Sequence, residues 1–238
     1  MAVAPPDVAT RVIASLENVT KQYRMGTETV HALAGVSVAF QRGGFYAIMG
    51  ASGSGKSTML NLLGCLDRPT SGHYFLEGTD VGSLSDDALS DLRLRYLGFI
   101  FQSFNLIPQL TVRENIELPL FYQQWEPERR AVRAEELAEM VGLGSRLNHR
   151  PSELSGGQMQ RVAIARSLAN DPTLILADEP TGNLDSATSR QVMEMLTDLN
   201  RNGKTLILVT HESDIAGYAH VTLHMSDGRL SRMEGEVP

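Results

Sequence analysis

A glycine-rich turn at residues 50–57 constrains the fold of this chain more than any other feature. It reads GASGSGKS and fits the phosphate-loop pattern G-x-x-x-x-G-K-[ST]. An apolar run at 45–49 precedes it and another at 59–63 follows it, which predicts a strand, a turn and a helix. Glycines let backbone N–H groups surround a phosphate chain, and the helix N-terminus adds a partial positive charge. The alternative is an ordinary glycine-rich turn, but the flanking elements favour a nucleotide-binding loop.

The residues of this loop have predicted roles. Lys56 can reach the β- and γ-phosphates as a mobile positive charge, and the Ser57 hydroxyl can ligate Mg²⁺. The other predicted phosphate contacts are Gly50, Ser52, Gly53, Ser54 and Gly55. The sequence therefore predicts a nucleotide site with an accompanying metal ion.

Composition limits the classes of protein that fit. The 238 residues, 42% hydrophobic and 21% charged, are typical of one large soluble domain. A net charge of −7 gives no support for a nucleic-acid partner, and a single cysteine excludes an internal disulfide. No run approaches the roughly 18 apolar residues of a membrane span. Residues 1–10 resemble neither a signal nor a transit peptide, so we expect a loose tail and a cytoplasmic protein.

The first part of the chain has a β-like pattern. Short runs at 12–16, 30–33 and 36–40, with turn residues at 24–27, predict an antiparallel sheet layer. A strand at 73–76 extends the pattern. Further on, a helix is predicted to begin at Ser85, with Leu89, Leu92 and Leu97 on its apolar side, and a buried strand to end at Gln102.

The pattern between residues 103 and 169 is helical. A helix opening at Thr111 is predicted to stop at Pro119, and apolar residues at i, i+3, i+4 and i+7 predict a second helix over 126–141. This block interrupts strand-rich sequence, so we expect an inserted subdomain. The expected boundaries are a single domain over 11–238, with its core at 11–102 and 170–238 and the helical subdomain at 103–169.

Two continuously apolar runs, at 174–177 and 205–210, are typical of strands buried on both faces of a parallel sheet. A helical pattern at 186–202 separates them, which predicts a right-handed crossover. A hairpin is predicted at 221–231. The expected fold class is α/β, with a mostly parallel sheet around the phosphate loop.

Two carboxylates follow the first buried strand. Asp178 and Glu179 stand at its carboxyl end, where ligands bind in open α/β sheets. One carboxylate can support Mg²⁺, and the other can orient or deprotonate an attacking water. The alternative is a solvated acidic pair, which the phosphate loop upstream disfavours.

A second glycine-rich segment narrows the family. Residues 154–158 read LSGGQ, and a helical run follows at 159–166. Ser155 with its two glycines can form another anion cradle, which is one more than a single nucleotide needs. The segment resembles the signature of ABC transporter ATP-binding subunits. The likeness covers about residues 11–232, with the motifs in the family's order.

The resemblance implies that two copies pair head to tail. Each ATP then lies between the phosphate loop of one copy and the signature of the other. Tyr23 would stack on adenine, and Thr58 would join the phosphate and Mg²⁺ contacts. The signature residues expected to close on the partner's ATP are Ser155, Gly156, Gly157 and Gln158.

The resemblance also implies roles for residues outside the glycine-rich segments. Gln102 would contact Mg²⁺ or water and link to the membrane subunit, and Asp178 would support the metal. Glu179 would act as general base and His211 would contact the γ-phosphate. Asp185 would supply the carboxylate of the loop that bridges the two sites.

Finer likeness points to one branch of the family. The stretches 47–52, 64–72 and 177–186 resemble the macrolide-export and lipoprotein-release (MacB/LolD-like) type. In that branch the permease has few membrane helices, and ATP-driven dimerisation moves a large extracytoplasmic domain. Met159 and Gly44 depart from the branch pattern, where glutamine and glutamate are common.

Three functions stay open at this point. The first is an ATPase subunit that powers a permease from the cytoplasmic face of the inner membrane. The second is a soluble ATPase of DNA repair or translation, although those proteins carry coiled-coil insertions or tandem ATPase domains, and this chain has neither. The third is a regulatory member that switches a membrane partner without transport.

Overall fold

The computed structural model describes residues 12–26 and 28–237, so the predicted tail at 1–10 lies outside the described residues. The strands are β1 (Val12–Met25), β2 (Glu28–Gln41), β3 (Phe45–Gly50), β4 (Ser71–Leu76), β5 (Thr79–Asp80), β6 (Leu97–Phe101), β7 (Leu174–Asp178), β8 (Thr205–Val209), β9 (Val221–Ser226) and β10 (Arg229–Gly235). The helices are α1 (Lys56–Leu63), α2 (Asp86–Tyr96), α3 (Val112–Tyr122), α4 (Pro127–Met140), α5 (Gly156–Ser167), α6 (Ser186–Arg201) and α7 (Ser213–Ala216). Single 3₁₀ turns lie at Val81–Ser83, Gly144–Arg146 and Pro151–Glu153.

A six-stranded sheet forms the centre of the molecule. Its order is β10-β9-β3-β8-β7-β6, and all neighbours except β9 and β10 run parallel. Alternate residues of β3 pack into different apolar clusters, with Tyr46 and Ile48 on one face and Phe45 and Ala47 on the other. Because both faces are covered, the strands are continuously apolar, as a buried parallel sheet requires. The predicted mostly parallel sheet is confirmed.

A four-stranded antiparallel sheet, of order β2-β1-β4-β5, covers one face of α1 and the central sheet. Its first two strands are longer than predicted, because β2 continues through the expected break between 33 and 36. Thr20 pairs with Ala34 and Val19 with Val36, so Gly35 is the extra residue of a bulge. Its φ of 83° is one that glycine adopts without strain.

Helices α3, α4 and α5 pack on the other face of the central sheet. Thr111 caps α3 through a capping box with Glu114. The prediction that Pro119 ends this helix is wrong, since the helix runs to Tyr122. Pro119 removes one backbone hydrogen bond near the end of the helix. Leu120, however, is fully buried in the apolar cluster on this face of the central sheet, and its packing holds the last turn in place.

Helix α4 lies within one residue of its predicted bounds at either end, and Ala134, Leu137 and Ala138 form its buried stripe. Leu97, which was expected on a helix face, is instead the first residue of β6. The subdomain boundaries at 103 and 169 stay predictions. Among the described residues, no helix combines the length and the apolar character that crossing a membrane requires.

Candidate nucleotide-binding site

The phosphate loop connects the end of β3 to the first residue of α1, as its sequence predicts. Gly55 adopts φ 102°, and a Cβ there would lie 2.5 Å from the Ala32 carbonyl oxygen. A glycine is therefore required, because β2 packs directly against the turn. Behind the turn, the Gly228 N–H donates to the Ser54 carbonyl at 3.0 Å, so the β9–β10 hairpin holds the loop from the other side.

The N-terminus of α1 is suited to an anion. Gly55 occupies its N-cap position, and within the described residues no side chain accepts from its first N–H groups. By contrast, serine, threonine or aspartate side chains cap α2, α3, α5 and α6. Unpaired N–H groups at a helix N-terminus bind phosphate oxygens well, so the loop fits the triphosphate of a nucleotide.

The side chain of Lys56 packs against the phosphate loop. Its ammonium donates to the carbonyl oxygens of Gly50 at 2.7 Å and Ala51 at 2.9 Å. Ser57 and Thr58 follow it on α1, and all three line the same cleft. Ser54 lies behind the loop instead, with a buried hydroxyl.

The cleft has a volume of about 640 Å³ and brings together residues far apart in sequence. Its lining comprises Tyr23, Val30, His31, Ala32, Gly50, Ala51, Ser52, Gly53, Gly55, Lys56, Ser57, Thr58, Glu179 and His211. Sequence reasoning missed four of these residues, namely Val30, His31 and Ala32 of β2 and Ala51 of the phosphate loop. The signal available was strand pairing, since Val30 lies directly opposite Tyr23 in the β1–β2 ladder.

The two carboxylates at the end of β7 have different surroundings. Burial raises the pKa of Asp178, and the negative charge of Glu179 raises it further, while Lys56 acts in the opposite direction. A carboxylate whose ionised form is disfavoured gains from a nearby cation. The described residues contain no cluster of three or more metal-binding side chains. Asp178 and Ser57 supply oxygen ligands of the kind that Mg²⁺ takes, since this ion binds few protein groups and largely phosphates and water.

Glu179 pairs with His211. Its Oε1 lies 2.9 Å from the imidazole Nδ1, and its backbone has the left-handed φ of 43°. A left-handed φ is strained for a non-glycine residue, and such strain is common at functional sites. The hydrogen bond and the charge of Glu179 together raise the pKa of His211. The cleft thus holds a carboxylate beside an imidazole whose protonated form it stabilises.

Gln102 does not line the cleft. Its amide Nε2 lies 3.4 Å from Asn183 Oδ1, and Asn183 Nδ2 donates to the Gln102 carbonyl at 2.9 Å. Asn183 lies two residues before Asp185, in the same predicted bridging loop, so hydrogen bonds join the Gln102 segment to that loop. Asp185 is also outside the cleft, where it caps α6 by accepting from the N–H groups of Ala187 and Thr188.

The signature residues lie away from the cleft of their own chain as well. Ser155 and Gln158 form a capping box at the start of α5, and a Cβ at Gly157 would collide with Thr188. The capping box occupies the N–H groups of Ser155 and Gln158 but not those of Gly156 and Gly157. The helix N-terminus therefore still offers donors to an external anion.

These motifs have a counterpart among known proteins. The family model described as ABC transporter matches residues 33–182, from the middle of β2 through both glycine-rich segments and the two carboxylates. The chain belongs to the ABC transporter family. It is an ATP-binding, ATP-hydrolysing subunit of that family, and the predicted ABC ATPase fold is confirmed.

Similar proteins from other organisms support the assignment to this family. An "Uncharacterized ABC transporter ATP-binding protein" of Thermotoga maritima is 50% identical over 222 residues, which cover 93% of this chain and 95% of that protein. The "Macrolide export ATP-binding/permease protein MacB" of Marinobacter nauticus is 49% identical over 229 residues. That alignment covers 96% of this chain but only 36% of MacB. The chain thus spans about a third of the longer relative.

Solved structures agree with the sequence comparisons. The cassette MJ0796 of Methanocaldococcus jannaschii has been solved as a dimer in a post-hydrolysis state bound to ADP and Pi. It superimposes on this chain with a TM-score of 0.87 and 47% identity, covering 93% of this chain and 98% of the other.

Proposed function

We propose that two copies of this chain bind two ATP·Mg²⁺ between them, head to tail, and that closure of this dimer drives a membrane permease. The observation that carries the proposal is the separation of the two glycine-rich segments. The cleft contains the phosphate loop, Tyr23, Glu179 and His211, but not the signature around Ser155. The site is therefore incomplete in one chain, and the dimeric structure of MJ0796 supports completion by a second copy.

The predicted site residues have different roles in ATP hydrolysis. Glu179 accepts a proton from the attacking water, and its hydrogen bond to His211 orients it. Lys56, His211 and the partner's Ser155 stabilise the negative charge that spreads over the transferred phosphoryl group. Ser57 and Asp178 would hold Mg²⁺, which would neutralise phosphate charge when bound. Tyr23 stacks on the adenine, and Asp185 links one site to the other.

A substitution at Glu179 tests this division of roles. General-base catalysis contributes roughly 10²–10⁴-fold, so Glu179→Gln is expected to lower kcat by at least about 100-fold while ATP binding persists. The matched control is Glu194→Gln, which removes an exposed carboxylate of α6. Full-rate hydrolysis by Glu179→Gln, measured as phosphate release, would remove Glu179 from the role of base.

The permease would dock in an apolar groove between α2, β6, α3 and α5. The groove has a volume of about 500 Å³, and its rim exposes Leu66 (51%) and Tyr122 (63%). Phe101 and Asn105, on either side of Gln102, also line it. Force applied in the groove can therefore reach Gln102 and, through Asn183, the bridging loop. The MacB relative, which has its permease in the same chain, supports an export or mechanotransmission role at the cytoplasmic face.

The groove proposal has its own test. Tyr122→Glu places a charge in the apolar rim, so it is expected to abolish stimulation of ATP hydrolysis by the reconstituted permease. Glu128→Gln, on the exposed side of α4, is the control. Because Tyr122 lies outside the nucleotide cleft, hydrolysis without permease should stay at the wild-type rate. Unchanged stimulation by the permease would place docking elsewhere.

A further inference from the structure

The side chain of Tyr23 in the cleft is held by a hydrogen bond that the sequence pattern does not predict. The Tyr23 hydroxyl donates to Asp67 Oδ2 at 2.8 Å. Asp67 follows the C-terminal end of α1, the helix whose N-terminus carries Lys56 and the phosphate loop. The strand that bears the aromatic ring and the helix that bears the phosphate contacts are therefore joined through one carboxylate.

Lys21 completes the arrangement. It lies two residues before Tyr23 on β1, so both side chains share one face of the strand. Its ammonium forms an ion pair with Asp67 Oδ1, donates to the Arg68 carbonyl at 2.8 Å, and lies 4.9 Å from the centroid of the Tyr23 ring. The lysine thus covers one side of the ring, which leaves the other side for a base.

The electrostatics agree with a persistent contact. Burial raises the pKa of Asp67, but hydrogen bonds from Lys21, Tyr23 and the Arg68 backbone outweigh it, so the pKa lies below its usual range. The carboxylate therefore stays ionised and accepts all three bonds at neutral pH. Burial raises the pKa of Tyr23, and the bond and charge of Asp67 raise it further, so its hydroxyl stays a donor.

We infer that Asp67 is a positioning residue for base recognition, because it fixes the plane and distance of the Tyr23 ring relative to the phosphate loop. The inference deepens the proposed function and rests on the stacking of adenine on Tyr23. An immobilised ring loses less conformational freedom when a base binds. Asp67 would therefore strengthen binding of a nucleotide with a base, and leave binding of the phosphate chain alone unchanged.

The test compares two ligands by calorimetry: ATP and inorganic tripolyphosphate, which lacks base and sugar. Asp67→Ala is expected to weaken ATP binding about threefold to tenfold, and to leave tripolyphosphate binding unchanged. Tyr23→Phe breaks the same hydrogen bond without altering the turn at Asp67, so it should have a similar effect. Combining the two substitutions should weaken ATP binding no further than either one alone. Asp86→Ala, which removes an exposed partner of Arg68, is the matched control.

Three results would overturn the inference. Asp67→Ala and Tyr23→Phe could both bind ATP like the wild type, or Asp67→Ala could weaken both ligands equally, which would indicate a general structural role. The third result separates the inference from the proposal beneath it: if Tyr23→Ala also leaves ATP binding unchanged, the stacking role itself is wrong. If Tyr23→Ala weakens ATP binding but Asp67→Ala and Tyr23→Phe do not, only the positioning role fails.

Discussion

Glu179 stabilises the protonated form of His211, because the two side chains share one hydrogen bond in an exposed part of the cleft. The imidazole is 61% exposed and the carboxylate 23% exposed, so solvent screens their attraction. The effect of the pair is therefore on protonation and orientation rather than on overall stability. A carboxylate held in this way points toward the cleft, where a general base must act.

The pH dependence of the pair follows from the raised pKa of His211. A raised pKa means that the folded state favours imidazolium. The attraction between the imidazolium and the Glu179 carboxylate is therefore fully present below about pH 6.5, and it is lost as the pH rises through the folded pKa of His211. We expect NMR titration to give His211 a midpoint above 6.5, and Glu179→Gln to move it back toward that value. The signals of the other histidines serve as the control. An unchanged His211 midpoint in Glu179→Gln would contradict the pairing.

At the scale of elements, the phosphate loop is held from two sides. Strand β2 packs against it at Gly55, and the β9–β10 hairpin contacts it through the Gly228 N–H. The Ala34 N–H in turn donates to the Gly228 carbonyl at 2.8 Å. The hairpin at the end of the described chain thus shapes a loop that lies far away in sequence.

A pair of glycine substitutions tests the packing of this hairpin. Gly228 (φ 71°) and Gly43 (φ 76°) have nearly the same backbone strain, but a Cβ at Gly228 would lie 2.8 Å from the Ala32 carbonyl oxygen, and one at Gly43 would meet open space. We expect Gly228→Ala to lower the free energy of unfolding by about 1–3 kcal/mol more than Gly43→Ala does, measured by urea denaturation. Equal losses in the free energy of unfolding would mean that the hairpin shifts to accommodate the added methyl group without losing stability.

Elements with strong local patterns could be predicted from the sequence. The apolar runs at β7 and β8, the serine before α2 and the glycine-rich turn before α1 gave correct elements, because burial, capping and turn chemistry act locally. The errors at Pro119 and Leu97 arose where tertiary packing outweighed local preference. The contacts of Tyr23 with Asp67 and of Gln102 with Asn183 could not be predicted, since they join segments separated by 44 and 81 positions.

At the scale of the whole molecule, the account depends on a site that two chains share. The nucleotide cleft of one chain contains the phosphate loop but not the signature helix, and among the described residues side chains leave N–H donors uncapped at both helix N-termini. Each of the two ATP molecules in a dimer would contact the phosphate loop of one copy and the signature helix of the other. Residues of each copy would then be needed at the other copy's γ-phosphate.

Light scattering on Glu179→Gln, with and without ATP, measures this claim most directly. We expect the mass to double from the 26.0 kDa of one chain when ATP·Mg²⁺ is added. Adding Ser155→Arg to the same protein should keep it monomeric while leaving ATP bound, because Ser155 lies outside the cleft of its own chain and the arginine would occupy the site of the partner's nucleotide. A dimer that forms without ATP, or one that Ser155→Arg does not prevent, would contradict the shared site.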